Sequence, residues 1–350
     1  MTKVSVAVVG ASGYAGAELL RLLAGHPGMT VSVVTSEKSA GSPLSAVFPH
    51  LASLGALTFE ALTPEAIADR VDAVFLALPH TKSMGPAAAF VSAGRRVVDL
   101  SADFRLKDST AYQSWYETPH AAAHLLKEAV YGLPELRRSE IRTARLVASP
   151  GCYPTAAILQ LAPLVADGLI QPDTIVIDAK SGVSGAGRSP ALPYHFPEAH
   201  EAIEAYKVGA HRHLPEIEQE LAALSGRKAS FTVIFAPHLV PMNRGILSTA
   251  YCRLRKPMAT SELRARYQDF YKTEPFVRVL ESNRSVNPSH VRGSNFCHLG
   301  VVADARTGWV VTLAALDNLV KGAAGQAIQA MNLMLGVPEE LGLAAPGLFP

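Results

Sequence analysis

Short apolar runs alternate with helical stripes through the first half of the chain. Val4-Ser5-Val6-Ala7-Val8-Val9 is nearly continuous in apolar residues, which predicts a strand buried on both faces of a parallel sheet. Gly10 to Gly16 follow at once, and Ala17, Leu19, Leu20, Leu22 and Leu23 then carry a helical stripe that stops at Gly25-His26-Pro27-Gly28. Further strands are predicted at 30–35, 73–77 and 97–100, with an alanine-rich helix at 86–93 and a strand end at 145–148. This alternation predicts an α/β domain with a Rossmann-type, doubly wound parallel sheet over residues 1–148.

Beyond residue 148 the pattern changes. A Ser149-Pro150-Gly151 turn leads into a helix patterned from Thr155, with Ala157, Ile158, Leu161 and Leu164 at spacings of three or four. Longer strand-like runs follow at 174–179, 231–235, 245–252 and 308–313, predicting an α+β domain with a mixed or antiparallel sheet over 149–314. Residues 315–350 hold a helix in which Asp317 is the predicted N-cap, and its glycines and alanines predict that it packs back onto the nucleotide domain.

Composition narrows the class without naming a chemistry. With 49% hydrophobic and 18% charged residues, the chain reads as an ordinary globular protein. A net charge of +2 gives no basic field for nucleic acid or a membrane surface. Three cysteines without paired spacing argue against a disulfide framework or a zinc site and for a reducing compartment. Met1-Thr2-Lys3 runs straight into a strand with no leader pattern, and no apolar stretch reaches the ~18 residues that span a bilayer, so the expected location is cytoplasmic.

The chemistry-bearing residues sit where these elements end. Gly10, Gly13 and Gly16 lie between strand and helix, the context in which a glycine loop admits a dinucleotide pyrophosphate. The second strand ends at Ser36-Glu37-Lys38, where the adenosine ribose is read. Glu37 favours a free 2′-hydroxyl, whereas Ser36 and Lys38 favour a 2′-phosphate. Leu78-Pro79-His80 and Ser101-Ala102-Asp103-Phe104-Arg105 follow the next strands, and Arg105 either clamps a phosphate or pairs with Asp103 or Asp108. Cys152, at a helix start, is set to react, because dipole and amide N–H groups there lower a thiol pKa from ~8.5. Cys252 and Cys297 read as buried structural thiols instead. Lys180 to Arg188, rich in serine and glycine, is a flexible loop or a close backbone approach to ligand. His211-Arg212-His213 has spacing that argues against a metal and for an acid/base partner to a cysteine.

Taken in order, Gly10-Ala11-Ser12-Gly13-Tyr14-Ala15-Gly16, Leu78-Pro79-His80, the 99–105 run, Ser149-Pro150-Gly151-Cys152-Tyr153-Pro154-Thr155, the Ser-Gly loop, His211-Arg212-His213 and Asp317-Asn318-Leu319-Val320-Lys321-Gly322 resemble the N-acetyl-gamma-glutamyl-phosphate reductases end to end. The resemblance implies NADPH-dependent reduction of N-acetyl-glutamyl 5-phosphate to the semialdehyde, through a Cys152 thioester and with phosphate released. It implies His211 as acid/base with His213 in reserve, and cofactor contacts from Gly10, Ser12, Gly13, Tyr14, Ala15 and Gly16. It adds Ser36, Glu37, Lys38, Leu78, Pro79, Ser181, Gly182 and Asn318 to the NADP(H) site, and Ser101, Arg105 and Arg188 to the substrate or phosphate site. Relatives often carry an arginine just after the serine, where this chain has Glu37 and then Lys38. A homodimer or homotetramer acting on a small-molecule acyl phosphate is the implied assembly. Sister readings are a reductase of carrier-linked aminoadipyl phosphate, against which Tyr153-Pro154-Thr155 speaks, an aspartate-semialdehyde dehydrogenase or a glyceraldehyde-phosphate dehydrogenase. A non-catalytic NADP-sensing protein is the alternative from another class.

Overall fold

β1 (Val4–Val9) lies inside a seven-stranded sheet ordered β3-β2-β1-β4-β5-β7-β6, whose pairings are all parallel. The computed structural model describes residues 3–226, 229–281 and 284–349, so Met1, Thr2 and Pro350 of the predicted boundaries lie outside the described residues. Along the chain come α1 (Tyr14–Ala24), β2 (Met29–Thr35), α2 (Leu44–Val47), β3 (Phe59–Glu60), α3 (Pro64–Ala68) and β4 (Ala73–Leu76). Then follow α4 (Met84–Ser92), β5 (Arg96–Asp99), α5 (Ser109–Tyr116), β6 (Val130–Tyr131), α6 (Pro134–Thr143) and β7 (Leu146–Ala148). Strand residues such as Val6, Val8, Val74, Phe75 and Val98 are fully buried, as both-faced burial requires. Two neighbours of β1, β2 and β4, lead to opposite sides of the sheet, which makes its carboxyl end a switch point.

α7 (Cys152–Ala166) opens a second unit and is buried from Tyr153 to Val165. A helix apolar on every side is a core element rather than a surface one. It starts at Cys152, not at Thr155, because Gly151 is extended (φ −66°, ψ 154°) and caps it, while Pro154 falls in the first turn, where a missing N–H is harmless. After it come β8 (Ile175–Gly182), α8 (Phe196–Ala199), β9 (Glu204–Ala205), α9 (Leu214–Leu224), β10 (Val233–Val240) and β11 (Ile246–Arg253). α10 (Thr260–Phe270), β12 (Val277–Val279), β13 (Cys297–Asp304) and β14 (Trp309–Leu316) complete it. The sheet order is β12-β13-β14-β11-β8-β10-β9, with parallel and antiparallel pairs mixed. Ile177, Phe235, Ala250, Leu299 and Val310 point to the buried face. On the other face Ile234, Tyr251 and Val302 are 59%, 38% and 45% exposed.

A π-helical turn at Val320–Ala324 leads into α11 (Gly325–Met334), which is buried along its whole length. By packing, residues 1–150 and 323–345 form one unit, and 151–322 with 346–350 the other. α11 belongs to the first, where His26 Nε2 lies 3.2 Å from Asn332 Oδ1.

Candidate active site

In the first unit, Gly10 leaves β1 at φ +79°, and a Cβ there would stand 2.5 Å from Ala77 O. Only glycine lets the end of β1 lie this close to the end of β4. Gly16 is equally constrained, since its Cβ would stand 2.6 Å from Ala11 Cα. Gly13 differs: a Cβ there meets nothing nearer than Gly10 O at 3.8 Å. Internal packing does not demand glycine at this position, which caps α1 and opens a cradle at its N-terminus, where a pyrophosphate fits. Tyr14 is exposed and Ala15 half-buried on the first turn of α1, and Leu78 and Pro79 follow β4 at the same sheet edge. Ser12 Oγ and Ser36 Oγ are 2.8 Å apart, and Ser39 N–H donates to Ser36 Oγ at 3.2 Å. Glu37 and Lys38 are both exposed beside them.

The turn after β5 is a buried polar network. Asp99 accepts from Ser101 N at 3.0 Å and Ser101 Oγ at 2.7 Å, and Ser101 Oγ accepts from Asp103 N at 3.1 Å. Asp103 accepts from Thr81 N at 2.7 Å, Ser83 N at 2.9 Å and Tyr112 OH at 2.8 Å. Burial, with the Asp103 charge adding to it, pushes the Asp99 carboxyl up to about 6. Arg105 is buried and donates from Nε to Ser149 O at 2.8 Å and from Nη2 to Leu100 O at 2.9 Å. Two of its donors are therefore turned to main-chain carbonyls.

In the second unit, Cys152 is the first residue of α7 and is partly exposed, whereas Cys252 and Cys297 are buried. Burial alone pushes the Cys252 thiol up to about 12, the mark of an inert core cysteine. Thr155 donates both its N–H, at 2.9 Å, and its hydroxyl, at 3.0 Å, to Gly151 O, which fixes the turn before Cys152. Gly151 N–H donates to the buried Glu216 carboxylate at 2.9 Å. A Cβ on Gly151 would stand 2.4 Å from His213 Nε2, so the His213 ring lies directly on the residue before Cys152. His211 is boxed by Tyr153, Tyr206, Phe235 and His213, with centroids 4.6 to 5.7 Å away. Its Nδ1 accepts the His213 main-chain N–H at 3.1 Å, which puts the neutral ring's proton on Nε2. Tyr206 OH donates to Tyr153 OH at 3.2 Å, and Tyr153 OH donates to His238 O at 3.2 Å. Burial pushes both phenols well above their ordinary range, so they stay hydrogen-bond donors.

The turn at 317–322 packs behind Cys152. A Cβ on Gly322 would stand 2.8 Å from Cys152 Cβ, and Gly322 N–H donates to Asp317 O at 2.9 Å. Asp317, fully buried, accepts at Oδ1 from Leu319 N at 2.8 Å and Val320 N at 3.2 Å, a cap on a π turn rather than on an α-helix. Asn318 accepts from Gly245 N at 2.8 Å and donates to Ser184 Oγ at 3.0 Å, so both ends of its amide brace the unit. Ser181 and Gly182 end β8; Ser181 donates to Gly182 O at 3.0 Å, and a Cβ on Gly182 would stand 2.6 Å from Asn243 O. The Ser-Gly run is thus a close backbone approach up to Gly182, while Arg188 beyond it is exposed. Glu216 and Tyr206 belong to this constellation although the sequence pattern assigns neither a role. Only Glu216, an acid in the first turn of α9, carried a readable signal.

Comparisons with known proteins agree with both halves of this picture. Residues 5–144 match the semialdehyde dehydrogenase NAD binding domain and 152–318 the semialdehyde dehydrogenase dimerisation domain. Among solved structures, aspartate semialdehyde dehydrogenase II of Vibrio cholerae, complexed with ASA, superposes with a TM-score of 0.73 at 16% identity, covering 96% of this chain and 99% of that one. The aspartate semialdehyde dehydrogenase of Candida albicans with NADP gives 0.71 at 17%, covering 97% and 100%. These show the fold. N-acetyl-gamma-glutamyl-phosphate reductases of Geotalea daltonii and Geobacter metallireducens are 55% and 54% identical over 99% of this chain and 99% of theirs. That of Moorella thermoacetica is 49% identical over 99% of this chain and all of its own. The chain belongs to the N-acetyl-gamma-glutamyl-phosphate reductase family.

Proposed function

We propose that the protein reduces N-acetyl-glutamyl 5-phosphate to the 5-semialdehyde with release of phosphate, in the cytoplasm, as a homodimer or homotetramer. The observation that carries this is Cys152 as the first residue of a buried helix, with the His213 ring lying on Gly151. The Cys152 thiolate attacks the acyl carbon, a carbon–sulfur bond forms, and the bond to the phosphate oxygen breaks. When bound, NADPH supplies the hydride that reduces the thioester carbonyl. The first-turn N–H groups of α7 stabilise the developing oxyanion, a class of contact worth ~3 kcal/mol. His213 protonates that oxygen and takes the proton back as the carbon–sulfur bond breaks, freeing aldehyde and thiolate. His213 is preferred to His211 because His211 Nδ1 is engaged by a main-chain N–H, leaving its ring a donor at Nε2. His211 orients substrate from the aromatic box beside it.

Ser12, Gly13 and the first turn of α1 would hold the cofactor pyrophosphate, with Leu78 and Pro79 at the same edge. The Ser12–Ser36 hydroxyl pair and exposed Lys38 support a 2′-phosphate, hence NADP. Ser181, Gly182 and Asn318 shape the nicotinamide and substrate side, while Ser101, Arg105 and Arg188 serve the phosphate. The half-apolar open face of the second sheet supports pairing with a second copy.

The test is steady-state reduction of N-acetyl-glutamyl phosphate beside aspartyl phosphate, each with NADPH and with NADH. The acetylglutamyl substrate with NADPH should turn over fastest. His213→Asn should lose about 100-fold or more in kcat and His211→Asn clearly less. Faster use of aspartyl phosphate, or a His213→Asn enzyme near wild-type rate, contradicts the reading.

A further inference from the structure

Arg244 lies at the 242–245 turn that joins β10 to β11, and nothing above gives it work. The turn is fixed from several sides. Val183 N–H donates to Met242 O at 3.0 Å, Ser184 N–H to Asn243 O at 3.2 Å and Gly182 N–H to Gly245 O at 2.9 Å. Gly245 N–H donates to Asn318 Oδ1 at 2.8 Å. The Arg244 side chain is one-quarter exposed, and its Nη1 sits 3.5 Å from Oδ2 of the fully buried Asp317, which also accepts Gly293 N–H at 2.7 Å. Asp317 in turn accepts, at its main-chain oxygen, the N–H of Gly322, the residue packed on Cys152. One short turn therefore carries both the backing of the nucleophile and the backing of a guanidinium.

We infer that Arg244 binds the carboxylate of the acyl-phosphate substrate and so sets the substrate class as acyl phosphates bearing a second, fixed negative charge. The inference rests on the function proposed above. The substrate holds two anionic groups, and only one leaves. A clamp tied to the turn behind the nucleophile suits the group that must stay in place through thioester formation, reduction and release. A guanidinium fork matches a carboxylate in shape, and an arginine held on a fixed turn and one-quarter exposed recognises an anion with little ordering cost. Arg188 and Arg212, by contrast, are exposed.

The experiment runs the reaction in the aldehyde-oxidising direction with N-acetyl-glutamate semialdehyde, inorganic phosphate and NADP⁺, so that carboxylate and phosphate enter on different substrates. Arg244→Gln should raise KM for the aldehyde by about 30-fold, with Arg244→Lys intermediate. KM for phosphate and kcat at saturating aldehyde should stay within a few-fold of wild type. With the carboxamide analogue of the aldehyde, wild type should fall to the level of Arg244→Gln, and the variant should no longer distinguish the two aldehydes. A rise in the phosphate KM in place of the aldehyde KM overturns the assignment. So does a fall in kcat and melting temperature with unchanged KM, the result if Arg244 only balances the Asp317 charge. A wild-type enzyme that oxidises no aldehyde under these conditions overturns the proposed function itself, and this inference with it.

Discussion

Asp99 shows how much one buried residue can carry. Its carboxyl is raised above the unfolded value of 3.8 to about 6, chiefly by burial and then by Asp103. The folded protein thus holds a proton on Asp99 that the unfolded chain gives up at lower pH, so stability falls as pH rises from about 4 to 6 and the loss then levels off. Asp99→Asn should remove this slope. Urea denaturation at a series of pH values should show the variant gaining on wild type across that window, by up to about 3 kcal/mol; a parallel pair of curves contradicts the shifted carboxyl. At this scale the sequence was legible where a residue's meaning lies in its neighbours along the chain. Gly10 and Cys152 could be read because strand, turn and helix are contiguous. Glu216 shows along the chain only as an acid in a helix's first turn, and Arg244 not at all, because their partners, Gly151 and Asp317, are 65 and 73 residues away. Which of His211 and His213 stands on Gly151 was equally hidden, since both flank the same arginine and only the fold of α9 orients them.

α7 is the element on which the site depends, and it contains a local conflict. Pro163 lies inside the helix and has no N–H for Leu159 O, which would leave a buried carbonyl without its helical partner. Tyr271, just past α10, donates its hydroxyl to that carbonyl at 2.6 Å. Tyr271→Phe keeps the ring and removes the donor, so it should destabilise the fold by about 1–3 kcal/mol. Chemical denaturation reads the effect directly, and an unchanged midpoint would mean that Leu159 O does not need the phenol. The helix itself was legible from its apolar spacing, and its start at Cys152 from the Ser149-Pro150-Gly151 turn before it rather than from the periodicity. Periodicity begins only where apolar residues recur, at Thr155, whereas the helix begins where Gly151 caps it and Pro154 can be tolerated. The strands at 4–9, 30–35, 73–77, 97–100, 174–179 and 245–252 were legible to within three residues, since their buried faces run to their ends, whereas β13 (Cys297–Asp304) and the short β3, β6, β9 and β12 were not predicted. β10 and β14 extend beyond the predicted runs, to Val240 and Leu316, where smaller and polar residues continue the pairing.

At the scale of the whole molecule, the second sheet has one face packed on α7 and one left open. Val176, Leu247, Trp309, Val311 and Leu313 are half-buried on that open face beside the exposed Ile234, Tyr251 and Val302. An apolar sheet face of this kind marks an interaction surface. Replacing Tyr251 and Val302 together by glutamate should convert the assembly to a smaller species in sedimentation velocity with far-UV circular dichroism unchanged. An unaltered sedimentation coefficient would place the interface elsewhere. Among the described residues, no helix is long and apolar enough to cross a membrane. The proposed chemistry turns on one atom, Cys152 Sγ. The enzyme is mixed with N-acetyl-glutamyl phosphate in the absence of NADPH and quenched in acid, and the intact protein is weighed. One N-acetyl-glutamyl adduct per chain should form, mapped to the Cys152 peptide, absent from Cys152→Ala and discharged on addition of NADPH. An enzyme that turns over normally yet carries no adduct, or whose Cys152→Ala variant retains wild-type turnover, contradicts this chemistry.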